Sequence, residues 1–209
     1  MGKIKFRLAK PSDAKQIANV HWHVRDRYTD GIFLSLGKGF LTAYYEVILN
    51  DPNEIVVCAE NENEEIVGFS SGTLDAASQS KMLRKNVVKL GFWAMLGILR
   101  HPQFLKGVWQ RYKSLQDNDA PQFVHTEGPR TDYLCWEKNE PNSIATMSME
   151  KIKLNIMYEF GVREVYFETD KQNERLYKYY LRDKSVELVH EYKIPDGRIR
   201  GLFKRVITK

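Results

Sequence analysis

The chain has 209 residues, 43% of them hydrophobic, 28% charged and 12% aromatic, enough for a full core in one domain and too apolar for disorder over most of its length. A formal net charge of +5 at pH 7 predicts an anionic partner, whether a phosphate-rich cofactor, a nucleotide-linked substrate, a nucleic acid or an anionic membrane surface. The first ten residues lack a hydrophobic signal region, and the apolar run 90–99, flanked by Lys89 and Arg100, is too short to span a bilayer.

In chain order, residues 3–8 alternate, with Ile4, Phe6 and Leu8 on one side, and predict a first strand. Pro11-Ser12-Asp13 suits the start of a helix, where Ser12 or Asp13 can accept orphan N–H groups. Ala14, Ile17, Ala18, His21 and Val24 then follow at helical spacing. A second helix is predicted over 39–49 and is stopped by Asn50-Asp51-Pro52-Asn53. Residues 55–59 and 66–73 predict a hairpin about the polar stretch 60–65. From 75 to about 122 the pattern becomes helical, and Phe92, Trp93, Met95, Leu96, Ile98 and Leu99 leave so little polar face that a well-covered helix is expected there.

The last third predicts a strand at 133–136, a helix at 144–160 ended by Gly161 as a left-handed cap, a strand at 162–169 and a short helix at 173–181. A closing hairpin, 186–193 with 200–207, would turn at Pro195-Asp196-Gly197. Cys58 and Cys135, the only cysteines, fall in apolar strand-like segments. Two buried thiols without an export signal imply a reducing compartment, the cytoplasm, and no structural metal.

The order of these elements resembles the GNAT acyltransferase family. The resemblance is carried by Phe6-Arg7-Leu8-Ala9 with Pro11-Ser12-Asp13-Ala14, by Leu36-Gly37-Lys38-Gly39-Phe40-Leu41, and by Ile66-Val67-Gly68-Phe69. It continues in Gly161-Val162-Arg163 before the strand at 165–169, then Asn173 and Tyr180. It implies an α/β (α+β) fold: a mixed, mostly antiparallel sheet flanked by helices, in one domain over 1–209, with a helical insertion at about 75–122 between strands three and four. It also implies transfer of an acyl group from acetyl-CoA or another acyl-CoA to a small-molecule amine. The rival expectation is a catalytically silent module of the same fold.

The resemblance assigns the pyrophosphate of CoA to the loop before the third family helix, which falls here on Pro141, Asn142, Ser143, Ile144, Ala145 and Thr146. The family's glycines and leading basic residue are missing there. Small residues at Ser143, Ala145 and Thr146 would still let phosphate approach backbone amides, with hydroxyls as further donors. Alternatively the segment is simply a capped helix start, since Asn142 and Ser143 are good N-caps. The pantetheine arm would add as a strand along 133–136, past Cys135 and Trp136.

Acyl transfer needs a base, an oxyanion donor and an acid for the thiolate. The resemblance makes Tyr180, seven residues after Asn173, that acid; Asn173 would meet the pantetheine or cap its helix, capping being the expected role. Asp132, Glu137 and Glu127 are candidate bases, and strand alternation would put Asp132 and Glu137 on opposite faces. His21 is expected to be a core or pocket-lining histidine, and neither it nor His23 a metal ligand. Cys135 lacks a histidine placed to activate it and reads as an inert thiol. The aromatic and basic insertion would shape the acceptor site; similar insertions in the family go with amino-sugar acceptors. The basic runs 81–89 and 198–209 raise a nucleic acid or a peripheral membrane contact, but no recognition motif accompanies them; a homodimer is left open.

Overall fold

A computed structural model describes residues 3–25, 36–100, 125–139, 141–194 and 197–208. Among them, strands β1 (Lys5–Leu8), β2 (Glu54–Glu60), β3 (Ile66–Thr73), β4 (Arg130–Trp136), β5 (Glu164–Asp170), β6 (Val186–Lys193) and β7 (Ile199–Val206) form one sheet. Their order is β1-β2-β3-β4-β5-β7-β6. All neighbouring pairs are antiparallel except β4–β5, which is parallel. The helices are a short 3-10 turn (Pro11–Asp13), α1 (Ala14–His23), α2 (Gly37–Ile48), α3 (Ala76–Lys85), α4 (Val87–Arg100), α5 (Ser143–Glu159) and α6 (Glu174–Arg182). This is the mixed, mostly antiparallel sheet the sequence implied, with α3 and α4 inserted between β3 and β4. The rest of the expected insertion, 101–122, lies outside the described residues, as do Pro195 and Asp196 of the closing turn.

Alternation along each strand divides the core into two layers. Val56 and Cys58 of β2, with Phe69 and Cys135, pack against Ile17, Ala18, Leu41, Tyr45 and Ile48 of α1 and α2. Val57 and Ala59 turn the other way and meet Met149 and Ala145 of α5 with Trp136. Glycine at 68 makes room for the Trp136 ring, which a side chain there would strike. Farther along α5, Met157 packs on Ile55 and Val165, and α6 adds Tyr177 to Phe167 and Phe203 over β5 and β7.

The ends of the elements follow local chemistry. Asp13 does not cap α1; it accepts the Lys10 amide (2.7 Å) and an Arg7 N–H (2.6 Å), while Arg7 also donates to Glu60. That carboxylate–guanidinium knot ties β1, the first turn and β2 together. At the far end of α5, Gly161 adopts φ 88°. The Val162 amide then reaches back to Met157 O (3.1 Å) and the Gly161 amide to Tyr158 O (2.9 Å), the paired closure typical of a glycine-terminated helix.

One expectation fails. The apolar run in α4 is not well covered: Phe92, Met95 and Leu99 are half or more exposed, and only Leu90, Ala94 and Ile98 pack on the α1/α2 core. The helix approaches α2 along a seam of small residues instead. Gly97 lies on the Leu36 backbone carbonyl, and Trp93 lies over Gly39. Two substitutions in the same helix should therefore differ in sign. Gly97→Ala drives a methyl into backbone that cannot yield and should cost about 1–3 kcal/mol by urea denaturation. Gly91→Ala, where nothing lies within 4 Å, should gain up to about 1 kcal/mol from helix propensity.

Candidate functional site

The site begins with one extra residue. Between Gly72 and Ser70 the register on β3 advances two positions, while β4 advances three, from Thr131 to Leu134. The bulge falls at Asp132 and Tyr133 and resets which way side chains point. Asp132 bonds Arg130 (2.7 Å) and Gln79 of α3 (2.9 Å), Tyr133 packs its ring on His21 of α1 at 4.6 Å, and Glu137 bonds His23 (2.7 Å). Asp132 and Glu137 thus share the α1/α2 face, contrary to simple alternation.

The bulge also marks where β4 leaves β5. The two strands share one register pair, Arg130 with Tyr166, supported by the Tyr166 amide on Pro129 O (3.2 Å). Beyond it the parallel strands diverge toward Trp136 and Asp170, so the β5-facing edge of β4 from 132 onward has no strand partner among the described residues.

At the open end of this split stands the first turn of α5. Asn142 caps it: its side chain accepts from the Ala145 amide (2.9 Å) and its carbonyl from the Thr146 amide (2.9 Å) and hydroxyl (2.7 Å). The Ala145 amide and Thr146 hydroxyl are therefore committed to the cap rather than offered to a ligand. The amides of Ser143 and Ile144 have no acceptor among the described residues, and these two are the donors an anion can take. Cys135 and Trp136 are buried in opposite cores; the register turns the backbone of Cys135 toward Phe69 of β3 and that of Trp136 toward the split.

Asn173 sits at the N-cap of α6 but its exposed side chain makes no capping bond; only its carbonyl accepts, from Tyr177 (2.9 Å). The expected capping role is therefore not made. Of the three tyrosines on α6, Tyr177 donates to Glu191 (2.6 Å) and Tyr179 is half exposed. Tyr180 turns inward, its ring 4.7 Å from Phe167 and 5.4 Å from the Arg205 guanidinium carbon. Burial pushes its phenol up to about 12, against the pull of Arg205, which keeps it protonated, as an acid must be.

Next to Tyr180 lies a cluster that sequence reasoning missed. Glu150 of α5 accepts from Ser70 (2.5 Å), pairs with Lys153 (2.9 Å) and faces Arg205 of β7 (3.9 Å). Burial works to raise the Glu150 carboxyl, but Lys153, Ser70 and Arg205 override it and hold it below the usual range. Lys153 is 1% exposed. A signal was present: Met149, Lys153 and Met157 recur every four residues, which sets a lysine inside the buried stripe of α5.

On the opposite face of the sheet, Gln79 links Asp132 to Glu54 (2.7 Å), and Arg130 bonds both Asp132 and Gln79. Both Asp132 oxygens are engaged, so it does not stand ready as a base, and Glu137 is held by His23. Glu127 is exposed. The basic C-terminal run is internally matched: Arg198 with Asp170 (2.6 Å), Arg200 with Glu168 (3.4 Å), Lys204 with Glu187 (3.2 Å) and Arg205 with Asp183 (3.5 Å). No group of His, Cys, Asp and Glu among the described residues could hold a metal ion, and no described helix is long and apolar enough to cross a membrane.

The sequence matches no protein-family model and no curated protein. The fold is nonetheless shared with solved structures over essentially the whole chain. A GNAT-family acetyltransferase from Bacillus cereus superposes with a TM-score of 0.56 at 9% identity, covering 100% of both chains. Aminoglycoside 6'-acetyltransferase type Ii gives 0.57 at 13% identity, covering 98% of each. A Salmonella typhimurium protein solved with its cofactor acetyl-CoA gives 0.57 at 9% identity, covering 99% of this chain and 95% of that one. The chain has the GNAT fold.

His21 supplies a test of how this site is buried. It is 2% exposed, bonds Tyr45 through Nδ1 (2.7 Å), and burial lowers it to about 4. The unfolded chain, with an ordinary imidazole near 6.5, binds the proton more readily between those values. Stability should therefore be full above about pH 6.5 and fall toward pH 4, by roughly 3 kcal/mol from this residue. His21→Asn should flatten that part of the stability–pH curve measured by urea denaturation.

Proposed function

We propose that the protein is an acyl-CoA-dependent N-acyltransferase, taking its acyl group from acetyl-CoA and passing it to a small amine, of which an amino sugar is the favoured class. The observation that carries this reading is the split between β4 and β5, with two amides at its mouth that have no acceptor among the described residues and a protonated phenol beside it. An extended pantetheine arm is a strand-like ligand with amide groups of its own, and the β5-facing edge of β4 at Leu134, which no described strand pairs, offers it backbone hydrogen bonds. The Ser143 and Ile144 amides, at the positive end of α5, suit the pyrophosphate without any glycine. Ile144 is 79% exposed, so its side chain is not packed into the protein.

Tyr180 then acts as the acid for the departing thiolate. On the α1/α2 face, Asp132, Glu168 and Asp170 are matched by Arg130, Arg200 and Arg198, and Glu54 adds a carboxyl held toward its neutral form, so that surface offers hydrogen-bonding oxygens to a polar acceptor rather than net charge. Glu54, raised well above the usual range by burial and by Asp132, has one oxygen buried without a hydrogen-bond partner among the described residues. That oxygen is a natural place for an amine or hydroxyl donor. The likeness to aminoglycoside 6'-acetyltransferase agrees with an amine on a sugar.

Acetyl-CoA at a hundred times its dissociation constant should stabilise the fold by about 2.7 kcal/mol, read as a thermal shift; absence of any shift with every acyl-CoA tried would remove the proposal. With thiol release as the readout over a panel of amines, Tyr180→Phe should lower kcat about 100-fold and leave the KM for acetyl-CoA nearly unchanged. An unaltered kcat would return the tyrosine to a packing role.

A further inference from the structure

We propose that Lys153 is the donor that holds the oxyanion during acyl transfer, with Glu150 as its positioning residue; this rests on the acyl-CoA reading above. Three observations converge on it. Lys153 occupies a fully buried position in the stripe Met149, Lys153, Met157, where a methionine or leucine would satisfy the packing. Burying an ammonium and a carboxylate costs several kcal/mol that the pair recovers only with good geometry. Packing therefore does not explain the charge.

The ammonium also stands where the sheet opens. Val56 O accepts from Ala9 beyond β1, so the backbone of Val56 faces β1. Ser71, opposite Val56 across the β2–β3 ladder, therefore turns its own backbone toward β4. The bulge interrupts the ladder at that level, the Ser71 hydroxyl taking the Tyr133 amide (3.2 Å). Lys153 Nζ reaches the Ser71 carbonyl at 3.3 Å, which puts its charge beneath the bulge, at the closed end of the β4–β5 split.

Finally, one N–H remains. Of the three ammonium donors, one goes to Glu150 (2.9 Å) and one to Ser71 O, and the third has no acceptor among the described residues. Glu150 is itself fixed, by Ser70 on one side and Arg205 on the other, and Arg205 in turn lies against the Tyr180 ring. A cationic donor and a phenolic acid thus sit about one carboxylate.

The amine lone pair forms a C–N bond to the thioester carbonyl carbon while the C=O π pair moves onto oxygen, which accepts the free N–H of Lys153. Collapse restores the C=O bond and breaks C–S; the thiolate takes the Tyr180 proton. The amine gives its extra proton to solvent, and solvent returns one to Tyr180, so amine and thioester become amide and thiol.

Lys153→Met should lower kcat about 100-fold with the KM for acetyl-CoA within about threefold, and Lys153→Arg should recover part of the loss. A readout that packing would not move is the carbonyl stretch of carbonyl-13C acetyl-CoA bound without amine. The wild type should shift it to lower frequency than in water, and Lys153→Met should abolish the shift. Should that variant fold poorly, Glu150→Gln with Lys153→Met removes both charges and should likewise abolish it. A variant that keeps the shifted band and the wild-type kcat overturns the role of Lys153 alone. Wild-type protein that binds no acetyl-CoA overturns the acyl-CoA reading and this proposal with it.

Discussion

One extra residue in β4 governs the architecture of the site. The bulge at Asp132 and Tyr133 breaks the ladder with β3, turns two successive side chains to one face, and coincides with the departure of β4 from β5. Each consequence creates a polar group that needs a partner, because a buried carbonyl or amide left alone costs about 1–3 kcal/mol. The neighbouring residues answer that need. The Ser71 hydroxyl accepts the Tyr133 amide, and Lys153 donates to the Ser71 carbonyl. Lys153 in turn requires Glu150, which draws in Ser70 and Arg205.

This chain of requirements explains an unusual division of the interior. Around β1, β2 and β3 the two faces are apolar, filled by α1, α2 and α5. Around the split both faces become polar and charged, with Glu54, Gln79, Arg130 and Asp132 above and Glu150, Lys153 and Arg205 below. The apolar half holds the strands in register, and the polar half sets charged groups near the edge of β4 where it parts from β5. Tyr180 belongs to both, packed by Phe167 and Phe203 yet facing Arg205.

Much of the fold was legible because its signals are local. Period-two and period-3.6 patterns marked the strands and helices within a residue or three, Gly161 announced the end of α5, and the order of elements pointed to the GNAT fold. Tyr180 stood out by its place after Asn173, and the structure turns its ring inward against Phe167 and Arg205. The bulge was not: inserting one residue into Arg130–Trp136 changes nothing in composition, yet it reverses the face of Asp132. The cap at Asn142 was legible too, but not that it spends the Ala145 amide and the Thr146 hydroxyl, nor that the Asn173 side chain stays in solvent, since several good capping residues compete at each helix start. The exposed face of α4 escaped for a similar reason. A helix without a polar face promises cover, but Gly97 and Gly39 choose which side approaches α2. Lys153 was visible as an interruption of an apolar stripe; its meaning depended on Ser71, eighty-two residues away.

The assignment of the β4–β5 split as an acyl-CoA groove is tested most directly by amide hydrogen exchange with and without saturating acetyl-CoA. A strand-like ligand on the β4 edge, with its pyrophosphate on the first turn of α5, predicts slowed exchange at the split-facing amides of Leu134 and Trp136 together with Ser143 and Ile144. Unchanged exchange in both segments, with or without protection elsewhere, would contradict it.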